Sequence, residues 1–312
     1  MISRSRGRKG EAMASNMSDT FFGKAEAVTS GELKPTEEVL CPLCGISPRP
    51  FAVDYQGFTL CRCEKCMLEF VSPRLSFDEL ADKVYSDNYF PKRDGANKPS
   101  AETAHYISRQ LAEFERLLGG RRKVLDIGCG NGAFLDFARE AGWEIAGADI
   151  KLSPDAHDLN CPLWEGRLQD IDFGGNRFDL IRLNHVLEHT QDPLQELQIC
   201  RELLEPNGIL YISVPNITGI SPRLKSLQSR FGLKSHRWRH YAAMHHLFFF
   251  SPETLRALVE RAGFRVLDWN TPVPRKAGQS ALMESLYRFV MERTNTSSIL
   301  DFYCMPDHSN AA

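Results

Sequence analysis

From Val124 onward the chain alternates short apolar runs with stretches whose apolar residues recur every three to four positions. The runs are Val124 to Ile127, Trp143 to Asp149, Pro162 to Glu165, Phe178 to Asn184, Gly208 to Pro215 and Phe264 to Trp269, with a seventh near Ile299 to Cys304. Near-continuous apolar character at strand length is what a strand buried on both faces requires. Between the runs, Leu135, Ala138 and Ala141 share a helical face that stops at Gly142. Leu194, Leu197, Cys200 and Leu204 form another, opened by Asp192-Pro193 and closed by Pro206-Asn-Gly208. Ser251-Pro252 opens a third, with Leu255, Leu258, Val259 and Ala262 ahead of Gly263. Strands and helices alternating through short turns predict an α/β fold with a doubly wound, mostly parallel seven-stranded sheet.

The first third of the chain reads differently. Residues 1–38 are polar and aperiodic, and are expected to be disordered. Ser76-Phe-Asp-Glu79 is a capping box that starts a helix through Leu80 and Val84, broken at Asp87-Asn-Tyr-Phe-Pro91 and followed by a linker over 91–100. A second amphipathic helix carries Ile107, Leu111, Phe114 and Leu118 on one face, ends at Gly119-Gly120, and is expected to pack on the sheet edge. This divides the chain into a polar arm (1–38), a cysteine-rich unit (39–75), a helical linker (76–120), the α/β domain (121–270) and an extension (271–312) that carries the last strand.

Of nine cysteines, five fall between 41 and 66. Cys41-Pro-Leu-Cys44 and Cys63-Glu-Lys-Cys66 flank a β-rich stretch that turns at Gly57, the arrangement of a zinc ribbon. Four thiolates close a tetrahedral structural Zn²⁺ site; Cys61 is the spare. With no secretion signal and no apolar run near the roughly 20 residues of a membrane span, a reducing, cytoplasmic setting is expected. A net charge of -2 implies no general attraction to nucleic acid.

The candidate chemistry centres on Val124-Leu-Asp-Ile-Gly-Cys-Gly-Asn-Gly132. Its glycines are spaced G-x-G-x-G, unlike the G-x-G-x-x-G of dinucleotide-binding turns, and Asp126 places a carboxylate where a phosphate would be repelled and a cationic ligand welcomed. An acid, Asp149, ends the following strand. With Asn184-His-Val-Leu-Glu-His189 and His246-Leu-Phe-Phe-Phe-Ser251, the chain from about 41 to 270 resembles class I S-adenosylmethionine (SAM) methyltransferases. The subgroup is one encoded near polysaccharide, lipid or secondary-metabolite genes, some of it similar to the ubiquinone-pathway O-methyltransferases, and several members carry such a ribbon. The resemblance implies a Rossmann-like methyltransferase fold. It also implies that Asp126, Gly128, Gly130 and Gly132 hold the methionine end of SAM, with Cys129 inside the turn. Asp149, followed by Ile150, takes the ribose, and Asn184 the amino group. The adenine-side acid of the family is replaced by Arg167, so Asp170 or the backbone at Leu168 stands in. Asn184-His-Val-Leu is not the Asn-Pro-Pro-Tyr of enzymes that methylate exocyclic base nitrogens.

Methylation of a hydroxyl needs a base, and histidine suits that task near neutral pH. His189 is the first candidate, then His246 and His185, with Glu188 placed to orient a base or bind a sugar hydroxyl. Residues 217–250 carry Arg223, Lys225, Arg230, Lys234, Arg237 and Arg239, no acid, and interleaved aromatics. As a lid this insert predicts a small or lipid-linked anionic acceptor, such as a nucleotide sugar, lipid phosphate or secondary metabolite. Its stripe Leu224, Leu227 and Phe231 also reads as a basic amphipathic helix touching an anionic membrane. The competing function is an RNA or protein methyltransferase that grips its macromolecule with the ribbon. Few cations in 41–66 (Arg49, Arg62, Lys65) argue against RNA.

Overall fold

The structure is a computed structural model and describes residues 35–83, 101–120, 122–273 and 281–309. The expectations for 1–34 and for 84–100, Val84 included, lie outside the described residues; 35–38, expected to belong to the disordered arm, are instead tied down, with Thr36 N and Glu37 N both donating to Arg74 O. Among the described residues two sheets form. The smaller contains β1 (Arg49–Val53), β2 (Thr59–Arg62), β3 (Glu69–Val71) and a short strand from far along the chain, β9 (Phe248–Phe249), in the order β1-β2-β3-β9. The larger contains β4 (Lys123–Ile127), β5 (Glu144–Asp149), β6 (Leu163–Glu165), β7 (Phe178–Asn184), β8 (Leu204–Pro215), β10 (Phe264–Asn270) and β11 (Ile299–Pro306). Its order is β10-β11-β8-β7-β4-β5-β6. From β6 to β8 all pairings are parallel, while β11 runs antiparallel between β8 and β10. This is the doubly wound, Rossmann-like methyltransferase arrangement expected, with the last strand inside the sheet.

Alternate residues of these strands enter two separate cores. Leu125, Ile181, Leu210, Ile212 and Phe302 face α4 (Pro193–Leu203), α6 (Pro252–Arg261) and the small sheet. Val124, Leu180, Ile209 and Tyr211 face α2 (Ala101–Leu118) and α3 (Ala133–Glu140). The capping box of α1 (Phe77–Lys83) forms, with Ser76 N donating to Glu79 at 3.1 Å and Glu79 N to Ser76 Oγ at 3.4 Å. Asp192 caps α4 through Leu194 N and Gln195 N. Two expectations need correcting. Helix α2 lies across a sheet face and not at its edge: Phe114 is buried with its ring 5.1 Å from Tyr211 and 6.1 Å from Tyr303. An amphipathic stripe specifies that a surface is covered, not which one. Strand β8 starts at Leu204, ahead of Gly208, because Leu204 pairs with Phe178 across an irregular register.

The small sheet is joined to the large domain by main-chain pairing, since Glu69 pairs with Phe249 and Phe70 with Phe248. Phe70 is fully buried, its ring 5.9 Å from Phe248. Phe70→Ala is expected to cost about 3–5 kcal/mol, as large aromatic truncations in a core do. Chemical denaturation followed by tryptophan fluorescence measures it; a loss below 1 kcal/mol, or so, would mean that the small sheet is energetically detached.

Candidate active site

Every feature of the glycine turn follows from the need to double the chain back between β4 and α3. Gly128, Gly130 and Gly132 all have positive φ, of 73°, 55° and 75°. A side chain at Gly128 would also put its Cβ 2.3 Å from Val186 Cγ2, so glycine is required twice over. The turn's amides point inward. Gly128 N and Cys129 N both donate to Ala148 O, Gly130 N to the Asp149 carboxylate at 2.8 Å, and Gly132 N to Cys129 O. A phosphate-binding turn keeps such amides for its ligand. This one presents no row of free donors, which fits a cationic ligand and not a pyrophosphate.

Behind the turn lies a polar layer that the sequence reading did not assemble. Register places Asp126 beside Arg182, and Arg182 beside Tyr211. Arg182 Nη1 lies 2.8 Å from Asp126 Oδ1, both side chains are buried, and the guanidinium stacks on Phe134 at 4.1 Å. Burial pushes the Asp126 carboxyl upward, opposed by the charge of Arg182. One step toward the strand ends, Asn184 pairs with Ser213 and Ser213 with Asp301. Ser213 Oγ donates to Asp301 at 2.7 Å, and Tyr106 of α2 reaches Asp301 at 3.5 Å and Tyr211 at 3.3 Å. Burial lifts Asp301 to about 6. A signal for this layer was present: an arginine inside the apolar run Phe178 to Leu183 demands a buried acid.

Asp149 is half-buried at the end of β5, under the turn. Desolvation raises it to about 6, against hydrogen bonds from the backbone of Gly130 and Lys151. Ile150 is half-buried, and Leu168 is buried at the head of a short 3-10 turn, so only its backbone is available to a ligand. Arg167, which stands where the family has an acid, lies over Phe77 with its guanidinium 4.6 Å from the ring.

The three candidate histidines come together around Glu188. His185 has a left-handed backbone, φ 56°, which for a residue with a Cβ is uncommon and is held here by its amide donating to Ser213 O at 2.8 Å. Its Nδ1 lies 3.2 Å from Glu188 Oε1. His189 Nε2 is 3.9 Å from the same oxygen. His189 Nδ1 is 2.9 Å from His245 O, and a carbonyl can only accept, so Nδ1 carries the proton and Nε2 the lone pair. The ring of His246 stands edge-on to His189 at 4.8 Å, and His245 stacks on it at 5.6 Å. Burial lowers His189, His245 (to about 3) and His246, keeping the rings neutral. Glu188 is itself buried, and its Oε2 has no hydrogen-bond partner among the described residues. One ligand atom each from Glu188, His189 and His246 lies within 4.8 Å of the others, donor types that also suit a divalent cation.

The cysteines predicted as ligands also converge. Sγ atoms of Cys41, Cys44, Cys63 and Cys66 all lie within 4.8 Å of one another, with Cys41 and Cys66 at 3.5 Å. Zinc–sulfur bonds of about 2.3 Å in a tetrahedron put sulfurs roughly 3.8 Å apart, so the set fits zinc. Each pair forms a knuckle, with Gly45 N donating to Cys41 O and Met67 N to Cys63 O. Cys61 lies outside the set, its thiol 3.3 Å from Ser72 O.

The insert divides into an exposed basic surface and a buried aromatic one. The cations Arg223, Arg230, Lys234, Arg237 and Arg239 are exposed, but Trp238, Tyr241 and Phe248 to Phe250 are buried. Phe51 of the small sheet packs 6.0 Å from Trp238 and 6.2 Å from Tyr241, and Tyr241 Oη donates to the buried Glu69 at 2.8 Å. These aromatics bind the insert to the small sheet. The ribbon thereby holds the segment that carries His245 and His246, and Leu247 N donates to Glu188 O at 2.7 Å while Leu247 O accepts from Val71 N.

Residues 100–268 match the family model described as a methyltransferase domain, more than half of the chain. The chain belongs to this family. The methyltransferase is also 30% identical over 177 residues to a ubiquinone biosynthesis O-methyltransferase of Cereibacter sphaeroides, covering 52% of this chain and 70% of the relative. The Dinoroseobacter shibae protein of the same name is 29% identical over 182 residues, with the same coverage. Among solved structures, the 1,6-didemethyltoxoflavin-N1-methyltransferase of Burkholderia thailandensis, with 1,6-didemethyltoxoflavin and S-adenosylhomocysteine bound, shares the fold. Its TM-score is 0.50 at 19% identity, over 83% of this chain and 99% of that one. The enzyme is a SAM-dependent methyltransferase of class I.

If ionised Asp149 takes the ribose hydroxyls, SAM affinity must fall as pH drops. The free carboxyl titrates near 6, and the bound form is held lower because hydroxyl donors favour the anion. SAM Kd, measured by calorimetry, is therefore expected to rise about tenfold per pH unit below 6. Asp149→Asn should flatten that profile; a slope that persists in the variant would move the effect to Asp301.

Proposed function

We propose that the protein transfers the methyl group of SAM to a hydroxyl of a small, lipid-linked acceptor, with His189 as the general base. The observation that carries the reading is the neutral His189 imidazole, fixed by the His245 carbonyl so that its basic nitrogen faces the buried Glu188 carboxylate. Similarity to O-methyltransferases of ubiquinone biosynthesis supports both the hydroxyl and the lipid-linked acceptor. SAM supplies a methyl already activated on a sulfonium, so the protein has to align the acceptor and remove its proton.

In this reading the glycine turn backs the methionine end, Asp149 accepts from the ribose and the Asn184 carbonyl oxygen accepts from the amino group. The Leu168 backbone faces the adenine. Asp126 serves the methionine end through its partner, fixing Arg182 and the strand end beneath the turn. His189 Nε2 takes the hydroxyl proton, and the adjacent Glu188 charge stabilises the imidazolium that forms. His246 walls the same space, and His185 holds Glu188. An anionic acceptor has less support than a hydroxyl one, because the insert's cations are exposed and its aromatics are occupied. Cys41, Cys44, Cys63 and Cys66 hold a structural zinc that keeps β3, and through it the 245–247 segment, in place.

The test supplies methyl-labelled SAM and a fractionated lipid extract. Label is expected in the lipid fraction; label confined to RNA or protein would overturn the acceptor class. His189→Gln is expected to lower kcat about a hundredfold or more with SAM Kd unchanged, as loss of a general base does. Full activity in that variant would sink the assignment.

A second reading has a divalent cation among Glu188, His189 and His246 activating the hydroxyl, favoured by the partnerless Glu188 oxygen. Metal content separates the two. Elemental analysis should find zinc in the wild type and no metal in Cys41→Ser; an ion that remains in Cys41→Ser and leaves with His246→Ala would establish the second reading.

A further inference from the structure

Helix α5 (Ile220–Arg230) is mounted the wrong way round for a protein that meets only water. Ile220, Leu224, Leu227 and Phe231 recur at steps of four, three and four, a single helical stripe. They are 51%, 54%, 51% and 68% exposed, and Leu233 beyond them 73%. What seats the helix is its polar side. Ser226 Oγ lies 2.8 Å from His240 Nε2, the buried Ser229 hydroxyl accepts from Trp238 N at 3.0 Å, and Ser229 O accepts from Arg237 Nε at 2.9 Å. An amphipathic helix on a globular domain ordinarily buries its apolar stripe, and large exposed apolar patches mark interaction sites.

The surroundings select the partner. Arg223, Arg230, Lys234, Arg237 and Arg239 are exposed around the stripe, Lys225 is half-buried, and no acid occurs from 217 to 250. A second copy would bring the same cations against these, so a homodimer through this face is opposed by charge. An anionic bilayer satisfies both features at once: apolar side chains enter the acyl boundary while lysines and arginines reach lipid phosphates. A later helix also carries exposed apolar side chains. On α7 (Ala281–Thr294), Tyr287, Phe289 and Val290 are exposed, and the turn after it is joined to α5 where Ile220 N donates to Thr296 O at 2.9 Å.

We propose that α5 and the turn following it dock the protein on an anionic membrane surface. The segment leaving this surface continues through the buried Trp238 and Tyr241 to His245 and His246, so the surface and the candidate site belong to one stretch of chain. The purpose of docking rests on the lipid-linked acceptor reading; the docking itself does not, and is tested without acceptor.

Vesicle flotation of the full chain compares phosphatidylcholine alone with phosphatidylcholine containing phosphatidylglycerol. Binding is expected to the anionic vesicles and to weaken with salt. Leu224→Ser/Leu227→Ser/Phe231→Ser should lower the partition coefficient on the order of tenfold or more, with SAM binding unchanged as proof of folding. Arg223→Gln/Arg230→Gln/Lys234→Gln should remove the preference for the anionic vesicles. Failure of the wild type to float with anionic vesicles, or equal flotation of the apolar triple variant, would overturn the proposal. So would a concentration-dependent dimer in sedimentation that the triple variant abolishes, since it assigns the stripe to a second copy. Flotation as expected with no methyl transfer to lipid would leave the surface standing and remove the acceptor reading instead.

Discussion

A charge in the interior of a sheet covered on both faces must find its opposite, and Arg182 finds Asp126. That requirement ties the end of β7 to the end of β4 at the level where the glycine turn begins. Neither strand can slip by a residue without stranding a buried ion, since a one-residue shift turns every side chain to the other face. The glycine turn, the Asp149 carboxylate and Asn184 are thus referred to one fixed frame. The pair is better understood as setting register than as adding stability, because desolvation offsets most of its attraction.

The second organising fact is that the histidine cluster is built by two parts of the chain that meet only in the folded state. The turn after β7 supplies His185, Glu188 and His189; the end of the insert supplies His245 and His246. Main-chain bonds from Leu247, to Glu188 on one side and Val71 on the other, lock the two together and attach both to the ribbon. The small sheet therefore buttresses the segment that supplies His245 and His246, through Glu69, Tyr241 and β3.

What was legible in the sequence was what is local. The glycine turn, the acid ending β5, the Asp192 and Ser251 caps and the paired cysteine knuckles each sit within a few residues, and spacing alone reveals them. The set of histidines was legible because two of them lie in one pentapeptide; their arrangement about Glu188 was not. Nothing local shows that Phe248 and Phe249 are a strand of the small sheet, since their partners Phe70 and Glu69 lie about 180 residues earlier. Helix α2 was assigned to the wrong surface for the same reason, since Phe114 meets Tyr211 and Tyr303 only once three distant segments are in place. Arg182 is the exception: its oddity was visible, and its partner could have been asked for.

The pairing of β3 with β9 also bears on how the chain is made. During synthesis the cysteine knuckles emerge early, ahead of every strand of the large sheet. Strand β3 then presents a free edge until β4 to β8 and the insert have all left the ribosome, and an unpaired edge is what neighbouring nascent chains join. Of its three residues, Glu69 carries a buried charge and Arg62 lies beside it on β2, so the waiting edge bears an ion pair that discourages foreign strands. The same carboxylate that later receives the Tyr241 hydroxyl guards the vacancy until Tyr241 arrives.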